Sequence, residues 1–141
     1  MLDKKIADLL NEQVNKEFYS AYLYLDFANY YADEGLDGFA NWYQVQAQEE
    51  RDHAMMMRRY LIDNGVRVTF SKISKPDKTY KKHSDALEFG LEHEQFVTAS
   101  IAEIYAAANE LKDFKTMQFL DWFVNCLLYT SDAADDKARV D

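Results

Sequence analysis

The chain has 141 residues, with Gly 4 and Pro 1, too few turn-formers for an all-β sandwich. Apolar residues are 48%, which excludes a disordered chain, and a net charge of −9 argues against a nucleic-acid partner, whose phosphates need a basic face. The single cysteine, Cys126, excludes an internal disulfide and a cysteine-based zinc site.

From Leu2 to about Tyr31 there is no Gly or Pro, and Ile6, Leu10, Val14, Ala21, Leu25 and Ala28 recur at helical spacing. Asp33 to Gly38 reads as a turn with Asp37 as N-cap of a second helix. That helix runs from Gly38 to Asn64, carries Phe39, Trp42, Val45, Met56, Met57, Tyr60 and Leu61, and stops before Gly65, as a helix end should. Met55 to Met57 read as core filler. Residues Val66 to Lys82 hold the only proline, Pro76, and a short β-like run from Val66 to Phe70. A connection this long predicts a crossover along a bundle, with helices two and three parallel. Ser84 is the expected cap of a third helix with Leu87, Leu91, Val97, Ile101, Ile104, Ala108 and Leu111. Asp113 caps a fourth, which starts with Met117, Leu120, Phe123 and Val124. The predicted fold class is therefore all-α. The N-terminus lacks an apolar signal core and no run of 18 apolar residues occurs, so no membrane is expected and the expected location is cytoplasmic.

Polar residues in phase with the apolar stripes carry the functional signal. Leu10, Glu17 and Tyr24 are spaced by seven. Glu50 and His53 are three apart, with His53 in phase with Gln46 and Tyr60, and Glu94 is in phase with Leu87, Ile101 and Ala108. Three buried carboxylates near one level would repel each other, and each would be costly alone. A cation removes the conflict, and mixed carboxylate and imidazole ligation suits iron, manganese or zinc. Di-iron bundles use one Glu from each of two helices plus a Glu-x-x-His from each of the other two. Glu17, Glu94 and the Glu50–His53 pair fit three of these, and no second Glu-x-x-His occurs. Taken singly, Glu17 and Glu94 read as solvated or capped acids; His83 and His93 read as surface residues, and Tyr24 as core.

The run Asn11 to Leu25, the run Gln48 to Ala54, His93-Glu94-Gln95 and Phe119 to Val124 together resemble the bacterial non-haem ferritins. The resemblance covers residues 1–124 and implies a ferritin-like four-helix bundle with a long crossover between helices two and three. It implies that Glu17, Glu50 and His53 hold a first iron, that Glu50 bridges to a second held by Glu94, and that Tyr24 is a hydrogen-bond partner and electron donor beside this di-iron centre. Glu49 resembles a ligand of an adjacent third iron site. The implied activity is that of a ferroxidase, oxidising Fe(II) with O₂ or peroxide and storing ferric mineral in a homo-oligomeric shell of 24 subunits. Asp52 stands where the haem-binding relatives have methionine, so no haem is expected.

Residues 125–141 lack the resemblance. Cys126, Leu127, Tyr129 and Thr130 stand where the family has carboxylates and a glutamine. The expectation is a shortened fourth helix, no fifth helix, a weakened second iron site, a third site left with Glu49 alone, and a C-terminal stretch of foreign sequence from a frameshift or misjoined reading frame. The alternative function this raises is a non-catalytic assembly subunit.

Overall fold

The computed structural model describes residues 1–125. Among them there are helices and no strands: α1 (Lys4–Asp33), α2 (Asp37–Asp63), α3 (Ser84–Glu110) and α4, which starts at 114 and is described as far as 125. The chain divides into two compact units, Met1–His83 and the part from Ser84 onward.

In the first unit, α1 starts where Asp3 accepts the Lys5 amide at 2.8 Å. It ends at Gly35, whose φ of 74° places it in the left-handed region, with its N–H bonded to Ala32 O and the Leu36 N–H to Tyr31 O. That is a Schellman end. Leu36 is therefore the last residue of one helix end and the N-cap of the next helix. This corrects the expected cap. The turn is too short for Asp37 to stay outside α2, so it becomes the first helical residue, where its charge faces the positive end of the helix dipole.

The tight turn makes α1 and α2 antiparallel, and the ring pairs Tyr31–Phe39 (5.0 Å), Phe27–Tyr43 (5.2 Å) and Tyr24–Tyr43 (5.6 Å) mark their shared interior. The apolar stripes differ from expectation in phase. Leu25, Val45 and Met56 are exposed, while Gln13, Glu17, Ser20, Gln46, Glu50 and His53 are buried. The core face of this hairpin is partly polar, so a search for apolar periodicity drifts toward its flank.

No strand forms at Val66–Phe70. The segment has no strand to pair with, and asparagine side chains replace one. Asn11 Oδ1 accepts the Thr69 N–H at 2.9 Å and its Nδ2 donates to Thr69 O at 3.1 Å. Asn15 Oδ1 accepts the Ser71 N–H at 2.9 Å. Farther on, Phe70 meets Phe18, Tyr80 meets Asp26 and Tyr30, and the Tyr31 hydroxyl donates to His83 O. The connection thus runs along α1 from Asn11 to Tyr31, which is the expected crossover.

In the second unit, α3 begins at Ser84 itself rather than after it. It ends in the same hydrogen-bond pattern as α1, with Lys112 N–H on Asn109 O and Asp113 N–H on Ala108 O, but Lys112 occupies the left-handed position at φ 55°. Asp113 caps α4 as expected, accepting the Thr116 N–H at 3.1 Å and the Thr116 hydroxyl at 2.6 Å. Leu111 is exposed, whereas Val97, Ile101, Ile104, Ala108, Leu120 and Phe123 are buried. The expectations for the fourth-helix end, including Leu127, and for the C-terminal stretch fall almost wholly outside the described residues; of residues 125–141 only Asn125 is described, and it is helical.

Candidate metal centre

Each helix of the first unit brings a row of polar side chains to the shared interior. Gln13, Glu17 and Ser20 follow one another up α1, and Gln46, Glu50 and His53 follow one another along α2. Their spacings of three and four residues keep each row on one face. Because the helices are antiparallel, Glu17 comes opposite Glu50 and His53. One ligand atom from each of these three lies within 4.8 Å of the other two. All three residues are buried, Glu17 completely.

The electrostatics of this set are unfavourable without a cation. Burial holds the Glu17 carboxyl well above its ordinary range, and the charge and hydrogen bond of Glu50 raise it further. His53 and the amide of Gln13, which donates to Glu17 Oε1 at 3.2 Å, act weakly in the opposite direction. His53 Nδ1 lies 3.5 Å from Glu50 Oε2. Two carboxylates and an imidazole converge in one buried place, where burial and Glu50 favour the Glu17 carboxyl keeping its proton. A divalent cation takes the place of that proton, and the oxygen-rich, nitrogen-containing donor set suits iron, manganese or zinc.

The remaining sequence-derived candidates are distributed differently. Tyr24 is buried two turns along α1 from Glu17, its ring against Phe27 at 5.7 Å and Tyr43 at 5.6 Å. Glu49 is exposed and is not part of the three-residue cluster, because adjacent positions on a helix face directions about 100° apart. Glu94 is buried on α3, in the second unit.

Two residues escaped the sequence reading as site components. Gln13 and Gln46 each precede a cluster glutamate by one helical turn. Gln13 donates to Glu17, and Gln46 Oε1 is buried with no hydrogen-bond donor among the described residues. The signal was present, since both fall four residues before a stripe carboxylate.

The ferritin-like domain family matches residues 7–130. The chain belongs to the ferritin family. It is 39% identical over 125 residues to a bacterial non-heme ferritin of Staphylococcus saprophyticus, covering 89% of this chain and 75% of the relative. A second, from Campylobacter jejuni, is 38% identical over the same length and shares. Among solved structures, an open-pore ferritin of the archaeon Archaeoglobus fulgidus has a TM-score of 0.93 at 40% identity, covering 96% of this chain and 84% of that one. Chlorobium tepidum ferritin gives 0.94 at 34% identity, covering 99% and 88%. The ferritin-like, all-helical fold class expected from the sequence is therefore the observed one, and no helix among the described residues is long and apolar enough to cross a membrane.

Proposed function

We propose that this ferritin-family chain is an iron-storage subunit with ferroxidase activity, working in the cytoplasm as part of a homo-oligomeric shell. The observation that carries the reading is the buried Glu17–Glu50–His53 cluster in a chain of this family. Residues 1–124 form the ferritin-like body that carries out this role.

In this reading Glu17, Glu50 and His53 take up the first Fe(II), whose charge offsets that of the buried carboxylates. Glu94 and Glu49 are proposed as ligands of further iron ions. Fe(II) supplies the electrons and O₂ or peroxide accepts them. The protein binds and orients the ions, excludes bulk water, and releases the proton that Glu17 holds when no cation is bound. Gln13 keeps the Glu17 carboxylate oriented through its 3.2 Å hydrogen bond. Tyr24 stands by as a phenolic electron donor.

The test is anaerobic Fe(II) titration followed by stopped-flow oxidation. Glu50→Ala removes a ligand of the cluster and abolishes oxidation; an unchanged rate would exclude this centre. Oligomers that take up no oxygen with Fe(II) would instead select the assembly-subunit reading. Two tight irons per chain would contradict the weakened second site.

A further inference from the structure

Tyr24 is the inner end of an aromatic run that leaves the core. Its ring lies 5.7 Å from Phe27, and Phe27 lies 6.0 Å from Tyr80 in an edge-on contact. Tyr43 touches both Tyr24 and Phe27, at 5.6 and 5.2 Å. Tyr80 stacks on Tyr30 at 4.5 Å. Tyr24 and Phe27 are buried, whereas Tyr80 and Tyr30 are half-buried. The run therefore joins a side chain two turns from Glu17 to the solvent boundary.

The outer end is equipped for oxidation. The Tyr80 hydroxyl donates to Asp26 Oδ2 at 2.6 Å. A neutral phenol gives up an electron readily only when its proton leaves in the same event, because the radical cation is a strong acid. A carboxylate already in hydrogen-bond contact is the acceptor that event requires. Burial and the bond to Asp26 push the Tyr80 phenol up, so it carries its proton at neutral pH.

We propose that Tyr80 and Asp26 are the exit for an oxidising equivalent formed at Tyr24, relayed through Phe27 to a phenol that a small soluble reductant can reach. The inference rests on the ferroxidase reading. One peroxide, one Fe(II), the Tyr24 O–H and one proton give two waters, one Fe(III) and the Tyr24 phenoxyl radical. An electron then passes from Tyr80 through the Phe27 ring to Tyr24. The Tyr80 proton moves to Asp26, and Tyr24 takes a proton from solvent. A one-electron reductant such as ascorbate restores Tyr80, and Asp26 returns the proton. The oxidising equivalent leaves at a defined place instead of attacking the core.

A purely mechanical role for the Tyr80–Asp26 bond, fastening the crossover to α1, would leave radical chemistry untouched. Freeze-quench electron paramagnetic resonance on the full chain, mixed with one Fe(II) and peroxide, separates the two. The wild type should give a tyrosyl radical whose decay ascorbate speeds at least tenfold. Tyr80→Phe should cut that acceleration about tenfold, leaving the radical at Tyr24, and Tyr24→Phe should remove the relay signal. Phe27→Leu tests the bridge while leaving the Tyr80–Asp26 bond in place, and should also cut the ascorbate effect. Identical spectra and ascorbate sensitivity in Tyr80→Phe and Phe27→Leu would overturn the proposal. Photo-oxidised ruthenium tris-bipyridine on iron-free protein provides an arm independent of ferroxidase activity. There Asp26→Asn should lower the Tyr80 radical yield about tenfold, and equal yields overturn the relay even if iron oxidation is normal. Failure of iron oxidation alone, with the ruthenium result intact, counts against the ferroxidase reading and leaves the exit pair supported.

Discussion

Glu17→Gln should stabilise the metal-free protein and destabilise the metal-bound one. Glu17 is completely buried and its ligand atom lies within 4.8 Å of that of Glu50. Two full charges at that distance repel by at least about 3.5 kcal/mol at an effective dielectric of roughly 20. The protein avoids the full cost by keeping Glu17 protonated, which becomes harder as pH rises. For an acid whose folded pKa is raised, the favourable contribution is complete below the unfolded value of 4.5 and is lost as pH rises through the folded one. Glutamine keeps the shape and the oxygen that accepts from Gln13, without the charge. At pH 8 the metal-free variant should gain about 1–3 kcal/mol, a part of that repulsion. In a chain of this length that corresponds to a Tm higher by roughly 4–12 °C. The gain should shrink toward zero near pH 4.5. Zinc or cobalt at 100 times the wild-type Kd should add about 2.7 kcal/mol to the wild type and much less to the variant, closing or reversing the gap. Thermal melts with chelator or metal, at three pH values, measure all of this. A metal-free variant less stable than wild type at pH 8, or a gain independent of pH, would refute the reasoning.

Asn11→Ala removes both backbone bonds to Thr69 and should cost about 1–2 kcal/mol in urea unfolding, less than a core truncation because the site is partly exposed. Lys112→Gly relieves a left-handed residue at the end of α3 and should raise stability by about 1 kcal/mol, read as a higher denaturation midpoint at unchanged slope. Asp113→Ala strips the cap of α4 and should cost about 1 kcal/mol; Asp113→Asn should recover most of it.

The helix boundaries were legible because glycine and aspartate punctuate them. Gly35, Gly65 and Asp113 do what their positions suggested, whereas Asp37 and Ser84, both expected as caps, became first residues of their helices, Asp37 displaced by a turn in which Leu36 serves both helices. The phase of the buried faces was harder to read. Leu25, Val45 and Met56 continue an apolar pattern to the outside while glutamine, glutamate and histidine hold the interior. The same inversion made the site legible, since a carboxylate spaced by seven from apolar residues, as Glu17 is from Leu10 and Tyr24, needs a reason to be inside. The anchoring of the crossover was not legible. Asparagine side chains bonding to backbone leave no periodic trace, and Asn11 and Thr69 carry nothing that announces their pairing. Glu49 shows the limit of adjacency: it sits beside Glu50 in the chain and is turned away from the cluster.

All three members of the cluster belong to one helical hairpin, between residues 17 and 53. Its formation needs only short-range contacts of the kind that close fast. A ribosome that has released residues 1–83 has already delivered the whole first unit, with α3 still to emerge. Every ligand of the cluster has then emerged, so a cation could meet its first three ligands during synthesis, before any second subunit exists to share it.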